Sequence, residues 1–208
     1  MFPVQQFRTA VSRRLGQVLT PEIAALIESE TRIGDDRTPD PKQFGSQEHH
    51  GYILRAERFA EIQDELHPLH ETHWLETEAH RHGLALKPRY DVLLAKERAG
   101  QLYQFTARHG SEIAAQVRMY VGTSTHTSTL VAEEDTLYLK PSHRPGGFLM
   151  LALMRFVEDS LRSIGVREIR ANSKTLNNAD VLMRRLGYSA VAIQFTKIFE
   201  DENVQRHE

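Results

Sequence analysis

The stretch of sequence that decides the fold runs from residue 137 to residue 149 and reads LYLKPSHRPGGFL. Its first residues are typical of a strand, Pro141 ends that strand, and two glycines precede a strongly apolar run. The run from about Gly147 to Ser163 predicts a long buried helix, which Gly165 ends. Unpaired N–H groups and the helix dipole favour an anion at the start of such a helix. The stretch therefore predicts a strand, a phosphate-binding turn and a helix.

The turn supplies its own ligands for a phosphate or a pyrophosphate. Arg144 adds a charge-assisted contact, and glycine lets a bulky anion approach the backbone. Pro145 has no N–H, so the donors come from the residues that follow it, namely Gly146, Gly147, Phe148 and Leu149. The alternative is an ordinary tight turn into a helix, since the stretch contains neither G-x-G-x-x-G nor the G-K-[ST] of a Walker A loop.

At these residues the sequence resembles the GNAT superfamily of N-acetyltransferases. That family carries [QR]-x-x-G-x-[GA] between its fourth strand and third helix, and Arg144 and Gly147 match its first and fourth positions. Leu149 stands where the family has Gly or Ala. A second family motif, N-x-x-A-x-x-L-Y-x-x-L-G-[FY], resembles NNADVLMRRLGY at residues 177–188. Met183 replaces the Tyr that commonly protonates the leaving thiolate in the family, and Met has no proton to donate.

The resemblance covers roughly residues 55–199, with both motifs in the expected order. More narrowly, the chain is similar to GNAT-type proteins encoded by tailed bacteriophages. The residues behind this narrower resemblance lie in five places: His73–Glu76, Gln104–Arg108, His126–Leu130, Glu134–Tyr138, and Lys174 before Asn178.

The resemblance implies an α/β (α+β) fold in which helices flank a mixed, mostly antiparallel central sheet. The sequence pattern favours the same element order, because alternation indicates strands near residues 102–107, 112–121 (with Ile113 and Ala115 on one face), 129–139 (as one strand or a broken one), 166–171 and 188–199. Helical patterns occupy about residues 1–30, 55–82 (which Pro68 is expected to break), 147–163 and 177–186. Thr20 is the candidate N-cap of a helix that starts at Pro21, and Gly187 is expected to end the last helix. We expect a helical extension and linker at 1–50, a GNAT-like acyltransferase domain at 51–200 and a flexible tail at 201–208.

The resemblance also implies where the cosubstrate acetyl-CoA binds. Its pyrophosphate is expected on the turn from Arg144 to Leu149, with Asn178 among the other cofactor-binding residues. The pantetheine is expected beside Leu137, Tyr138 and Leu139. In the family this strand separates from the next one, here around Ile169, and exposes backbone N–H groups to the thioester oxygen.

An amine acceptor arrives mostly protonated, so the reaction needs a group that takes its proton. The candidates are Glu133, Glu134, Asp135 and His126. Alternation places Glu133 and Asp135 on one face of the strand and Glu134 on the other. We favour Glu134 as the catalytic base and His126 as the second candidate; the alternative for each carboxylate is a solvated strand edge.

His73 and Trp74 are the candidates for lining the acceptor pocket, the alternative being a packed Trp beside a surface His. His67, His70 and His73 form H-x-x-H-x-x-H, which leaves a metal hydrolase as a further reading. Because Pro68 interrupts the pattern and H-E-x-x-H is missing, we expect no metal site.

The composition sets the remaining limits. The 208 residues carry a net charge of −2, which gives no global field to recruit nucleic acid, although a local basic patch stays open. The absence of Cys and of long apolar runs fits a cytoplasmic protein, and a homodimer is the family habit. The sequence predicts an N-acetyltransferase that joins acetyl-CoA and a small-molecule or protein amine in a ternary complex. The alternative is a GNAT-like binding or structural protein without turnover.

Overall fold

A six-stranded sheet forms the centre of the computed structural model, which describes residues 11–31, 38–79, 85–145, 148–174 and 179–197. The strands lie in chain order and are antiparallel except for the last pair. They are β1 (Ser46–His49), β2 (Tyr52–Glu57), β3 (Leu102–His109), β4 (Glu112–Thr123), β5 (Leu130–Leu139) and β6 (Val166–Arg170). The helices are α1 (Pro21–Thr31), α2 (Phe59–Thr77), α3 (Tyr90–Arg98), α4 (Phe148–Ser163) and α5 (Ala179–Arg185). The expected fold class, a mixed and mostly antiparallel sheet flanked by helices, is confirmed.

Helices cover both faces of the sheet. Leu153, Met154 and Val157 of α4 are fully buried in a core with residues of β2, β3, β4 and β5. On the opposite face Phe59 and Leu66 of α2 form a second, smaller core, to which α3 adds half-buried side chains. Because both faces are covered, β3 and β4 are buried along almost their whole length. No helix among the described residues is both long and apolar enough to cross a membrane.

Glycines end two helices, as the sequence predicts. Gly165 follows α4 with φ +91°, and Gly187 follows α5 with φ +88°. Such positive φ angles are readily adopted by glycine, so the chain can leave each helix there without strain. Thr20 caps α1 as expected, because its hydroxyl accepts a hydrogen bond of 3.3 Å from the Ile23 N–H.

Two local expectations were wrong. Residues 46–49, expected in the linker, form β1 and pair with β2 through the backbone, so the sheet begins before residue 51. Their sequence, SQEH, has no apolar alternation because this is an edge strand with exposed side chains.

Pro68 lies inside α2 without breaking it. Leu66 and Leu69, on either side of Pro68, are buried, and this packing offsets the hydrogen bond that proline removes.

The ends of the domain differ from expectation as well. Helix α3 was not predicted. The final strand expected at 188–199 is not formed by residues 189–197, and residues 198 and 199 lie outside the described part of the chain. Val191, Ile193 and Phe195 alternate as in a strand but are 81–91% exposed. A strand needs a hydrogen-bonded neighbour, and the alternation alone does not supply one.

β-bulges interrupt the ladders on both sides of β4. Ala107 pairs with Ala115 but Arg108 pairs with Ile113, which leaves Ala114 as an extra residue. Ile113, expected on one face with Ala115, therefore packs in the opposite core. The second bulge lies between β4 and β5 at Asp135.

Candidate active site

Strands β5 and β6 pair over a short length and then separate. The pairs run from Leu130 with Val166 to Glu133 with Arg170, whereas β5 continues to Leu139. In the ranges that the structure describes, no strand pairs with the rest of β5 on this side. The separation expected near Ile169 is confirmed, since that residue belongs to the last pair but one. On the side that faces away from β4, the backbone of β5 beyond Glu133 is therefore accessible to an extended ligand.

Glu134 is the first residue of β5 beyond the last pair with β6. It is 9% exposed, and its Oε2 accepts a hydrogen bond of 3.2 Å from the backbone N–H of Asn172, just after β6. The Glu134 carboxylate thus accepts the hydrogen bond that a backbone carbonyl of β5 would accept if the pairing of the two strands continued. Burial raises the pKa of Glu134 to about 7, against the opposing effect of the Asn172 amide. A buried carboxyl group with this pKa exchanges a proton readily near neutral pH.

The neighbours of Glu134 have different surroundings. Asp135 is the extra residue of the bulge and forms an ion pair of 2.6 Å with Arg118. Glu133 is exposed and pairs with Tyr120 across the ladder, opposite in face to Glu134. The cross-strand pairs place Glu133 and Glu134 on opposite faces, as expected, whereas Asp135 has no pair of its own on β4.

His126 lies in the turn between β4 and β5, and its backbone N–H contacts the Ser124 hydroxyl at 3.3 Å. Leu130, which opens β5, lies four residues before Glu134, a separation of about 13 Å along a strand. The structure therefore does not bring His126 to Glu134. Instead, His126 and Glu133 line a cavity of about 450 Å³ together with Tyr120 and Arg170.

Arg144 lies after a 3-10 turn, Pro141–His143, that follows β5. Its Nε donates to the Leu139 carbonyl at 3.0 Å and its guanidinium contacts Glu76 of α2 at 2.7 Å. Gly146 and Gly147 lie outside the described residues. Phe148 begins α4 and is 65% exposed, whereas Leu149 is buried. The side chain of Leu149 therefore packs in the core, and only its backbone N–H is left for the anion.

The end of β5 presents two faces. Leu137 and Leu139 are half-buried and pack against the core that contains α4. Tyr138 is buried on the other face, with its ring 5.3 Å from that of His73 and its hydroxyl 3.4 Å from Glu76. A cavity of about 390 Å³ lies between α2 and this end of β5.

His73 and Trp74 are both half-buried on α2. Burial lowers the pKa of His73, so its ring is neutral near pH 7. His73 lies against Tyr138, beside the predicted path of the pantetheine. Asn178, the remaining predicted cofactor residue, lies outside the described residues.

Two further side chains near Glu134 were not singled out for a role in the sequence analysis. Arg118 of β4 is buried and reaches across to Asp135 and Thr136. Lys174, beyond β6, forms an ion pair with Glu78 and favours the charged form of Glu134. The Asn172 amide was missed too. Nothing in the local sequence signals these contacts, because they join residues 17 to 96 positions apart.

The histidines of α2 serve the packing of two helices. His67 and His70 each place Nδ1 2.9 Å from the Tyr90 hydroxyl of α3. Burial, with the nearby charge of Arg118, lowers the pKa of His70 to about 4, so this ring is neutral. Among the described side chains, no group of three His, Asp or Glu is arranged to hold a metal ion.

Solved structures resemble this chain along most of its length. A ribosomal-protein-alanine N-acetyltransferase from Brucella melitensis biovar Abortus 2308 matches 72% of this chain and 99% of its own, with 14% identity and a TM-score of 0.57. An aminoglycoside acetyltransferase from an uncultured soil metagenomic sample matches 72% and 97%, with 12% identity and a TM-score of 0.58. Glucosamine-6-phosphate N-acetyltransferase from Arabidopsis thaliana matches 72% and 99%, with 13% identity and a TM-score of 0.55.

At these identities the likeness shows the fold, which is that of the GNAT acetyltransferases. No family model matches the sequence, and no curated protein matches it either.

Proposed function

We propose that this protein is an N-acetyltransferase that moves the acetyl group of acetyl-CoA to an amine. The observation that supports this most is the buried carboxyl group of Glu134, with a pKa of about 7, where β5 and β6 separate. The fold shared with N-acetyltransferases supports the same class of reaction by analogy. Direct attack in a ternary complex is favoured over an acyl-enzyme, since the chain has no Cys nucleophile.

Glu134 acts as the general base. The acceptor arrives as an ammonium ion, Glu134 removes one proton, and the freed amine attacks the carbonyl carbon of the thioester. The new C–N bond forms as the C–S bond breaks, and the bonding electrons of the latter stay on sulfur. The nitrogen then gives up its second proton, which the departing thiolate takes, so that the products are a neutral amide and a thiol. A thiol with a pKa near ~8.5 leaves as a thiolate without a dedicated acid, so Met183 is no obstacle.

Residues that follow Glu134 along the chain are suited to bind the cosubstrate. Acetyl-CoA supplies the activated acetyl group, and Arg144 and the N–H groups at the start of α4 are suited to its pyrophosphate. From Leu137 to Leu139, β5 is paired with β4 but not with β6, and the Leu139 carbonyl accepts from Arg144; the remaining backbone groups on the β6 side are suited to hydrogen bonds with the amides of the pantetheine. Gly146, Gly147 and Asn178 stay predicted contacts.

The acceptor is an amine of a small molecule or of a protein, with His73 and Trp74 as candidate pocket residues. A near-zero net charge gives no reason to expect nucleic acid. The three structural neighbours named above suggest which amines to try first: a peptide with N-terminal alanine, an aminoglycoside and glucosamine 6-phosphate.

The test has two steps on the purified full chain. Calorimetry with acetyl-CoA measures donor binding, and thiol release over the three amines and a polyamine measures transfer. We expect Glu134→Gln to lower kcat by about 100-fold with an unchanged dissociation constant for acetyl-CoA, because the amide cannot accept the proton.

Glu133→Gln is the matched control, since Glu133 is the adjacent carboxylate but is exposed and faces away. It should transfer at the wild-type rate. A Glu134→Gln variant as fast as wild type would reject Glu134 as the base. A wild-type protein that neither binds acetyl-CoA nor releases thiol would reject the proposed reaction altogether.

A further inference from the structure

The bulge between β4 and β5 lies beside the candidate base. Met119 pairs with Glu134, whereas the next residue back along β4, Arg118, pairs with Thr136. Asp135 is therefore an extra residue without a partner of its own on β4. In a regular strand Asp135 and Thr136 would point to opposite faces, but a bulge allows both to lie on one face.

One guanidinium holds both side chains. Arg118 Nε contacts Asp135 Oδ2 at 2.6 Å, and an Nη donates to the Thr136 hydroxyl at 3.0 Å. That hydroxyl in turn donates to the same Asp135 oxygen at 3.1 Å. The three contacts are satisfied together only if Asp135 and Thr136 share a face, so they stabilise the bulge against a regular register.

Arg118 is itself held in place. It is 8% exposed and its guanidinium carbon lies 5.7 Å from the ring centre of Phe59. The remaining Nη is 3.4 Å from His70 Nε2. Since Arg118 has no acceptor, we assign His70 as the neutral tautomer with its proton on Nδ1, donating to Tyr90. Helices α2 and α3 thereby fix the orientation of the guanidinium.

The position of Glu134 depends on this bulge. Glu134 lies between the last β5–β6 pair, at Glu133, and the extra residue Asp135. Without the extra residue, the side chains on one side of Asp135 would all move to the opposite face of the sheet. Either Glu134 would then face α2, or Tyr138 would face α4. The hydrogen bond from Asn172 requires the observed face.

We propose that Arg118 is a positioning residue for the reaction: it holds Asp135 and Thr136 on one face of β5 and so keeps the Glu134 carboxylate at the separation of β5 and β6. This inference rests on the proposed function for its catalytic meaning. Its structural part, the effect of Arg118 on Glu134, needs no substrate.

The charged and titratable groups that act electrostatically on Glu134 define what loss of Arg118 does. They are Asp135 on β5 and Arg118 on β4, both on the other face of the sheet, together with Lys174 beyond β6 and the phenol of Tyr188 beyond α5. Asp135 raises the pKa of Glu134 and Arg118 lowers it. Replacing Arg118 by Met removes a cation and takes away the ion pair of Asp135, so both changes raise the pKa of Glu134.

The experiment titrates Glu134 by carbon NMR of the full chain labelled with carboxyl-¹³C glutamate, with Glu134→Gln identifying the resonance. We expect Arg118→Met to raise the midpoint by about one pH unit, and Arg118→Lys to stay nearer to wild type because it keeps the charge. The acid limb of kcat/KM should move to higher pH in the same order, with kcat lower by about tenfold and the KM for acetyl-CoA little changed.

Thr136→Val removes two of the three contacts among Arg118, Asp135 and Thr136 and keeps both charges, so it tests the bulge if Arg118→Met fails to fold. It should lower kcat without shifting the Glu134 midpoint as far. A wild-type midpoint and pH profile in the Arg118 variants, or full activity in Thr136→Val when Arg118→Met is unfolded, overturns the inference. If the wild type transfers no acetyl group, the proposed function fails, and the titration alone still decides the effect of Arg118 on Glu134.

Discussion

The two bulges on either side of β4 each have a buried arginine beside them, but they treat their carboxylates differently. At the β3–β4 bulge, Arg108 binds Glu57 through two nitrogens at 2.7 and 2.9 Å, and also contacts Glu65 and the Ser111 carbonyl. At the β4–β5 bulge, Arg118 binds Asp135 and Thr136 and leaves Glu134 with the Asn172 amide.

The pKa values of Glu57 and Glu134 are shifted in opposite directions as a result. Burial acts to raise the pKa of Glu57, but hydrogen bonds from Arg108, Arg55 and Thr106 outweigh it and lower that pKa. Burial raises the pKa of Glu134 to about 7, because one backbone amide does not compensate. The difference teaches that burial alone does not make a carboxylate reactive; the number of its partners decides whether it is held charged or left able to take a proton.

The largest expected effect comes from removing Arg108, which binds the glutamate that has several hydrogen-bond partners. Arg108→Met leaves the buried Glu57 without its main partner, and we expect a loss of about 3–5 kcal/mol in the free energy of unfolding. Urea unfolding at neutral pH measures it. Arg89→Met is the control, since Arg89 pairs with Asp91 on the surface and its loss should change the free energy of unfolding far less. Equal losses of unfolding free energy in the two variants would show that the contacts of Arg108 add no stability.

A second prediction tests the opposite sign of the two pKa shifts. The folded-state pKa of Glu134 lies above its usual value of 4.5, so its contribution is favourable below about pH 4.5 and is lost as the pH rises through about 7. The shift corresponds to roughly 3 kcal/mol. Glu134→Gln should therefore gain stability over wild type as the pH rises from about 5 to about 8.

Glu57→Gln should behave the other way round. Its lowered folded-state pKa makes the charged form stabilising, so the variant is expected to lose stability at neutral pH and to approach wild type on acidification. Unfolding free energies of the three proteins across the pH range measure both signs. Parallel curves for wild type and Glu134→Gln would contradict the raised pKa.

The smallest effect concerns an arginine–carboxylate pair that is exposed instead of buried. Arg144 and Glu76 are 46% and 34% exposed, so their 2.7 Å contact is weak and exchangeable. Since Glu76 and an anionic ligand compete for Arg144, Glu76→Gln should raise the affinity for acetyl-CoA by about two- to threefold in calorimetry. Glu71→Gln on the same helix is the control, and the gain should shrink at high salt. A lower affinity in Glu76→Gln would show that Glu76 supports the site instead of competing for it.

The sequence predicted what depends on local pattern. Alternation located β3, β4 and β5, and Gly165 and Gly187 marked helix ends, because these signals involve residues close together along the chain. The choice of Glu134 over its neighbours as candidate base also came from the sequence, through the face that alternation assigns to it, and its catalytic role stays a prediction.

What the sequence did not predict depends on pairing between distant residues. The bulge at Ala114 turned Ile113 to the other core, and one extra residue is invisible in a period-two pattern. Pro68 is tolerated because α2 packs against other parts of the fold, and the sequence around Pro68 does not by itself indicate that packing. The contacts of Arg118 with Asp135 and Thr136 could not be foreseen either, nor could that of the Asn172 amide with Glu134. The sheet register decides which of these residues meet.

The hydrogen bond between Glu134 and Asn172 places two demands on the length of one side chain. The carboxylate must span from β5 to the chain beyond β6 while its second oxygen stays available to a proton. An aspartate at the same position is shorter by one methylene group and loses both the reach and the amide contact. The chemical identity of this residue is therefore set by the width of the opening between two strands as much as by acidity, and a carboxylic acid of another size is no substitute.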